Sequence, residues 1–416
     1  MSADGAGHPV RLVVHDDLRR SRVTVAFRLV LALPQLVWAT LFGTAAFVLA
    51  FVVWLAVLFE RQAPRTLHEF LASYTRYTVH LTAYLSLAAD PYPGFTGGKP
   101  YPVDVEIDPA APQGRLGAGF RILLALPALA LSSSLAGSVA LGNAYGGALL
   151  GSAGGLTATV AVLGWFASLA RGSMPRGMRD AAAYAIGYGA QTTAYALMLT
   201  DRYPDSTPGR ASPPPELPEH PVAIELDRDL ARPRLLVLFR FPLVVPHLFW
   251  LALWSVPVLV AAVLAWLAAL ATGRVPGSLH RFMAAFVRTV AHVIAFLALV
   301  GRPFPGFVGR AGSYPVELTI APPVRQPRVR VLVRLVLAVP AMLIASAYGG
   351  VALVAAFLGW CAALVTGRMP PGLRDLGAAS LRYHAQLAAY ALLLTPRYPD
   401  SSPTLVAAPA PEQATA

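Results

Sequence analysis

Four trios of residues stand at four-residue spacing inside otherwise apolar stretches: Arg76/His80/Tyr84, Gly187/Gln191/Tyr195, Arg288/His292/Phe296 and Arg382/Gln386/Tyr390. Steps of four place each trio on one face of a helix. An Arg or His facing lipid at membrane depth is costly, so these faces are expected to meet protein or a watery cavity. Three chemistries fit them. His and Gln could bond between helices while the Arg stems reach outward to water. Three Arg with His, Gln and Tyr donors also suit a phosphate or carboxylate, as in a lipid headgroup or small anion. A bis-His metal site through His80 and His292 is disfavoured, because the apolar segments hold no carboxylate to orient an imidazole ligand. No metal and no cofactor is therefore expected.

A second group of candidates is basic and flanks apolar runs. Arg19, Arg20, Arg22 and Arg28 lie beside a wide apolar stripe in Leu18 to Leu33. They read either as an interfacial segment holding anionic headgroups or as an extension of a spanning helix. Arg121, Arg240 and Arg334 occupy the place of Arg28 in later copies of the pattern.

Catalysis is not expected. The acids fall in loops or at segment ends, so no intramembrane carboxylate pair is available for acid–base work. No GxSxG, HExxH, P-loop or dinucleotide fingerprint stands in its required context. Ser132, Ser133 and Ser134 read as packing residues, and His68 and His280, at equivalent turns, as solvated.

The elements that would carry these residues repeat four times. Short alternating segments at Pro9–Val14, Pro102–Ile107, Pro221–Leu226 and Pro315–Ile320 read as half-buried strands. After each comes an Arg followed six residues later by a Pro: Arg28/Pro34, Arg121/Pro127, Arg240/Pro246 and Arg334/Pro340. A long apolar run then ends near Trp54, Trp165, Trp266 or Trp360, a turn follows, and a more polar helix closes the unit. Units one and three end PYPGF and PFPGF, and units two and four end RYPDS, giving an A-B-A-B order. Trp54 and Trp266 are 212 residues apart, as are Tyr84 and Phe296, so an already duplicated unit was itself duplicated. The expected organisation is 1–100 (A1), 101–204 (B1, with about 18 extra Gly-rich residues), 205–221 (a Pro-rich linker), 222–312 (A2), 313–403 (B2) and 404–416 (a disordered tail).

Composition names the surrounding medium. Of 416 residues, 56% are hydrophobic and 13% charged, about half the charge a soluble surface of this size carries. The net charge of +12 comes almost wholly from Arg at the edges of apolar runs, which fits membrane flanks better than nucleic acid. The single cysteine excludes an intrachain disulfide. The first 28 residues show no cleavable leader pattern.

The fold class expected is a mainly α, polytopic integral membrane protein. About eight transmembrane helices form four parallel hairpins, each preceded by a strand joining one small cytoplasmic sheet. Basic residues are biased 21 to 9 toward the strand side, which predicts cytoplasmic termini in a plasma membrane.

The strand, the R-x5-P spacing, the apolar helix, the TGR-x-P turn and the T-x-R-Y-P ending together resemble bacterial membrane proteins grouped as domain of unknown function 4389. TGRVPGSLHRF (Thr272–Phe282), TGRMPPGLRD (Thr366–Asp375) and LLLTPRYPD (Leu392–Asp400) carry the resemblance most closely. Unit one departs from it with ERQAPR at the turn. The resemblance implies an architecture and no catalytic residue. The function expected is a non-enzymatic membrane interaction module that associates with anionic lipid, with no nucleic-acid partner. The alternative is a transporter or channel lined by the polar trios.

Overall fold

The apolar runs of units A1, A2 and B2 fold as long helices, and in all four units the following segment is a helix of 21 residues that returns along the run. The computed structural model describes residues 7–98, 100–137, 154–209, 220–226 and 229–405. Two compact units divide the chain, Met1–Ser206 and Thr207–Ala416. The first contains β1 (Val10–Val14), α1 (Arg22–Glu60), α2 (Arg65–Leu85), β2 (Val103–Ile107), α3 (Arg115–Gly119), α4 (Arg121–Ala136), α5 (Leu156–Arg171) and α6 (Arg176–Ala196). The second contains β3 (Val222–Glu225), α7 (Arg234–Thr272), α8 (Gly277–Leu297), β4 (Glu317–Ile320), α9 (Arg328–Leu332), α10 (Arg334–Thr366) and α11 (Pro371–Ala391).

Local chemistry sets the boundaries. Pro64, Pro175, Pro276 and Pro370 stand at the N-caps of the four second helices, where a fixed φ suits helix entry. The second helices end before a residue in the left-handed region: Leu87, Met198, Leu299 or Leu393. The first helices run straight through the Pro of the R-x5-P motif. In unit B1 the long helix is broken. It stops at Ala136 and resumes at Leu156, and a Cβ on Gly155 would lie 2.2 Å from the Gly137 nitrogen, so the two ends meet. Helices α4 and α5 both pack on α6, as the unbroken α10 packs on α11. Residues 138–153 of the expected Gly-rich insertion, 210–219 of the expected linker (205–221) and 406–416 of the expected tail (404–416) lie outside the described residues.

Three of the topological expectations are corrected. Among the described residues, four helices, α1, α7, α8 and α10, are long and apolar enough to cross a membrane, rather than eight. Helices α2, α6 and α11 fail on composition because one face of each is polar. The strands form two separate antiparallel ribbons, β1 with β2 and β3 with β4, instead of one sheet. Each ribbon lies on the second helices of its own half, which leaves each strand a single partner.

The hairpins within a half are antiparallel, not parallel. In the first half, His68 at the start of α2 lies 3.4 Å from the Leu199 carbonyl beyond the end of α6. Gln113 N donates to Arg61 O in the α1–α2 turn, and Arg20 N donates to Gly172 O in the α5–α6 turn. Each turn therefore meets the lead-in of the other arm. The second half repeats this, with Gln326 N donating to Gly273 O and Arg232 N to Gly367 O. Indole bonds tie the arms together: Trp54 to Ala118 O, Trp165 to Val25 O, Trp266 to Val331 O and Trp360 to Val237 O. Because strand ends and turn ends coincide, the basic-residue count no longer separates two sides of a membrane.

Each half is thus layered as ribbon, second helices, first helices. In α1 only the seam Val25, Arg28, Ala32, Gln35, Ala39, Ala46, Val53 and Val57 is buried. The rest, from Val23 to Phe59, exposes large apolar side chains.

Candidate functional site

The polar trios form the seats of the ribbons. His80 Nε2 meets Asp104 Oδ1 of β2 at 3.0 Å and its ring stacks on Tyr101 at 4.4 Å. Arg76 Nε lies 3.8 Å from the same carboxylate and 3.4 Å from Val105 O. Gln191 donates to Val10 O of β1 and accepts from Asp205 N. In the second half, Arg288 reaches Leu318 O, Gly309 O and Glu317, and His292 stacks on Tyr314 at 4.7 Å. Gln386 donates to Val222 O and accepts from Asp400 N, and Arg382 binds Thr404 O and Ser402 O. In each half these side chains are covered by the ribbon and the loops beside it, with His292 held by stacking alone and its Nε2 without a hydrogen-bond partner among the described residues. A hollow of about 50 Å³ lies among α2, α4, α5 and α6, lined by Thr78, Thr82, Ser132, Thr157 and Thr193.

The third member of each trio serves a different centre. Tyr84, Tyr195, Phe296 and Tyr390 lie under the guanidiniums of Arg28, Arg121, Arg240 and Arg334, 4.2 to 4.4 Å from the ring centroids. Each guanidinium caps the carboxyl end of a second helix, where unpaired carbonyls and the negative end of the helix dipole favour a cation. Arg28 Nη1 donates to Tyr84 O at 2.5 Å and Ala89 O at 3.0 Å, and Nη2 to Asp90 Oδ1 at 2.7 Å. Arg334 repeats this on Tyr390 O, Thr395 O and Gln326 Oε1. Arg121 binds Thr200 O and Gln113 Oε1, and Arg240 binds Phe296 O and Gly301 O.

This corrects the lipid-interface reading for most of those residues. Arg28, Arg121, Arg240 and Arg334 are 1 to 2% exposed. Arg20 is buried as well, bound to Asp16, Leu87 O and Ala88 O. Arg19 and Arg22 remain exposed, and Arg22 donates to Ala170 O at the end of α5. His68 and His280, expected in solvent, are 5% and 4% exposed and lie beside the carbonyls of Leu199 and Leu394. Burial lowers the affinity of His68 for a proton, with the Leu199 carbonyl opposing it.

The repeated cradle, four times over, is what defines the chain. The family model described as "Domain of unknown function (DUF4389)" matches residues 22–96, 146–206, 234–306 and 328–401. The chain belongs to this family. No curated protein and no solved structure matches it.

Within the DUF4389 repeat, sequence reasoning overlooked a second donor to each cradle. Arg20, Gln113, Arg232 and Gln326 each bind the carbonyl of the left-handed residue after a second helix: Leu87, Met198, Leu299 and Leu393. Each stands eight residues before the motif Arg, an invariant spacing that was available in the sequence. A third position six residues before it, Arg22, Arg115, Arg234 or Arg328, donates to a carbonyl near the end of the other arm's long helix.

Proposed function

We propose that this DUF4389 protein is a non-enzymatic membrane module that lies along one face of a cell membrane, its long helices immersed in lipid and its ribbons in water. Support comes first from length. The exposed apolar side chains of α1 run from Val23 to Phe59, about 54 Å at 1.5 Å per residue. A bilayer core is about 30 Å thick, so an upright α1 would need a tilt near 56°, beyond the roughly 0–40° range of spanning helices.

The ribbon supports the same orientation. Arg76 and His80, midway along α2, touch β2, so the ribbon lies alongside the middle of the helices. Its outer face carries Arg11, Glu106 and Asp108, with side chains about half exposed (50%, 51% and 49%). If the helices stood upright, these charges and an open sheet edge would sit near the bilayer centre, where lipid cannot satisfy them. Lying flat puts the ribbon in water and the apolar layer in hydrocarbon. The combination of a long apolar stripe with a charged ribbon at mid-length is the observation that carries the reading.

Spin labels at Phe27, Leu41 and Phe59 in otherwise native protein in vesicles test it. Similar immersion depths at the three positions are expected. A profile that is deepest at Leu41 and shallow at both ends would mean that α1 stands across the membrane.

A further inference from the structure

The four cradles differ in one respect that bears on ligand binding. In three of them the Nη2 of the motif Arg donates to a side-chain oxygen: Asp90 for Arg28, Gln113 for Arg121 and Gln326 for Arg334. The Nε is buried without an acceptor in all four, but only in the fourth, at Arg240, does Nη2 also have none among the described residues. Arg240 is 1% exposed, and among the described residues it bonds to the uncharged carbonyls of Phe296 and Gly301 alone.

Substitution explains the difference. The residue corresponding to Asp90, 212 positions on, is Arg302. Arg302 turns to the exposed Asp229, at 2.7 Å. The residue corresponding to Asp16, which neutralises Arg20 in the first half, is Arg228 in sequence. Among the described residues Arg232, the counterpart of Arg20, binds carbonyls alone: Leu299, Val300, Asp229 and Ala231. A further carboxylate among the described residues, Asp375, pairs with Arg374 at 2.6 Å. Burial holds Arg232 below its ordinary proton affinity; Asp229 opposes this, and Arg374 and Arg302 add to it. Among the described residues, this end of the second half therefore gathers buried guanidiniums, Arg232 and Arg240, that lack the carboxylates their first-half counterparts Arg20 and Arg28 have.

A buried guanidinium without a counter-anion is costly, and a fork of free N–H donors suits a tetrahedral oxyanion. We propose that the carboxyl end of α8 in the second half binds a phosphate group, with Arg240 and Arg232 as its primary ligands and Arg302 at its mouth. The phosphate takes the role that the Asp90 carboxylate plays against Arg28. The exposed apolar residues at the start of α7, Leu235, Leu238 and Phe239, lie beside this end and would accommodate acyl chains. A lipid headgroup as the source of the phosphate rests on the membrane reading above. The oxyanion site itself does not, since it is measured in micelles.

The test is thermal unfolding of the full chain in uncharged detergent at constant ionic strength. Titrations use inorganic phosphate, dihexanoyl phosphatidic acid, and dihexanoyl phosphatidylcholine as the zwitterionic control. Ligand bound only to the folded state should raise the unfolding temperature saturably. The phosphatidic acid binding about tenfold or more tighter than inorganic phosphate would assign a lipid source, and comparable affinities would assign a free anion. Arg302→Asp restores the first-half arrangement. It should raise the unfolding temperature without ligand and abolish the response to both anions, whereas Arg302→Gln should retain a weaker response. No saturable response in the native chain, or an undiminished response in Arg302→Asp, would overturn the proposal.

Discussion

Truncating Arg28 to Ala should destabilise the first half severely, by an amount that follows from its contacts. The side chain satisfies the carbonyls of Tyr84 and Ala89 and lies 4.3 Å over the Tyr84 ring. Without Arg28, Ala89 O has no donor among the described residues, at about 1–3 kcal/mol, and Tyr84 O keeps the Leu87 N–H but loses a charge-assisted bond worth about 1.5–3 kcal/mol. The lost cation–ring contact adds about 1 kcal/mol. Asp90 is 29% exposed and can rehydrate, so its lost ion pair contributes little. Relief of the buried cation's own desolvation works the other way, leaving a net cost of about 3–5 kcal/mol. For a half of about 200 residues this lowers the unfolding temperature by roughly 6–20 °C. Arg22→Ala, which removes one exposed bond to Ala170 O, should cost no more than about 0.5 kcal/mol. Arg28→Lys should stay close to Ala, because one ammonium cannot reproduce the fork. Thermal unfolding of the three variants in mild detergent makes the comparison. If Arg28→Ala left the unfolding temperature unchanged and weakened only lipid binding, the capping argument would be wrong and Arg28 would be a headgroup ligand.

Three further outcomes follow from local geometry. Arg61 occupies the left-handed turn position with φ 63°, where the other three units have Gly, so Arg61→Gly should stabilise by about 1 kcal/mol in the same unfolding assay. A Cβ on Gly309 would lie 2.3 Å from the Ala285 carbonyl on α8, so Gly309→Ala should force the loop off the helix and cost more than about 2 kcal/mol, read by unfolding temperature and by protease sensitivity of that loop. Burial pushes His220 down to about 4, with the Val222 carbonyl opposing and Arg397 reinforcing. The unfolded chain then binds a proton that the folded one refuses, so the second half should lose stability as pH falls from about 6.5 toward 4, and His220→Asn should flatten that part of the stability curve.

Much of this architecture is legible in the residues. The R-x5-P spacing, the Trp that closes each apolar run and the trios at four-residue steps all mark positions that matter. Their roles were harder to read. Apolar flanks made Arg28 and its counterparts look interfacial, yet their partners are carbonyls at helix ends, and backbone atoms leave no trace in composition. The antiparallel pairing of hairpins was missed for a different reason. Counting helices assumes that loops stay on one side. The chain from Leu87 to Gln113, at up to about 3.3 Å per residue, has ample reach to return along the roughly 31 Å of α2. Gly97 permits this: it lies so close to α2 that a Cβ would sit 2.6 Å from Ser73 O. The polar stripe reads in sequence as a face that meets protein or a watery cavity, and what covers it is the ribbon formed by the strands themselves.

The orientation of these inverted hairpins is decided by labelling both ends of one half. Arg65 and Arg176 are exposed and begin α2 and α6, which run in opposite directions. In a Cys361→Ser background, Arg65→Cys and Arg176→Cys should both react with a membrane-impermeant maleimide from the same side of sealed vesicles, the side that also labels Arg11→Cys on the ribbon. Labelling of the two ends from opposite sides would mean that the hairpins stand across the bilayer.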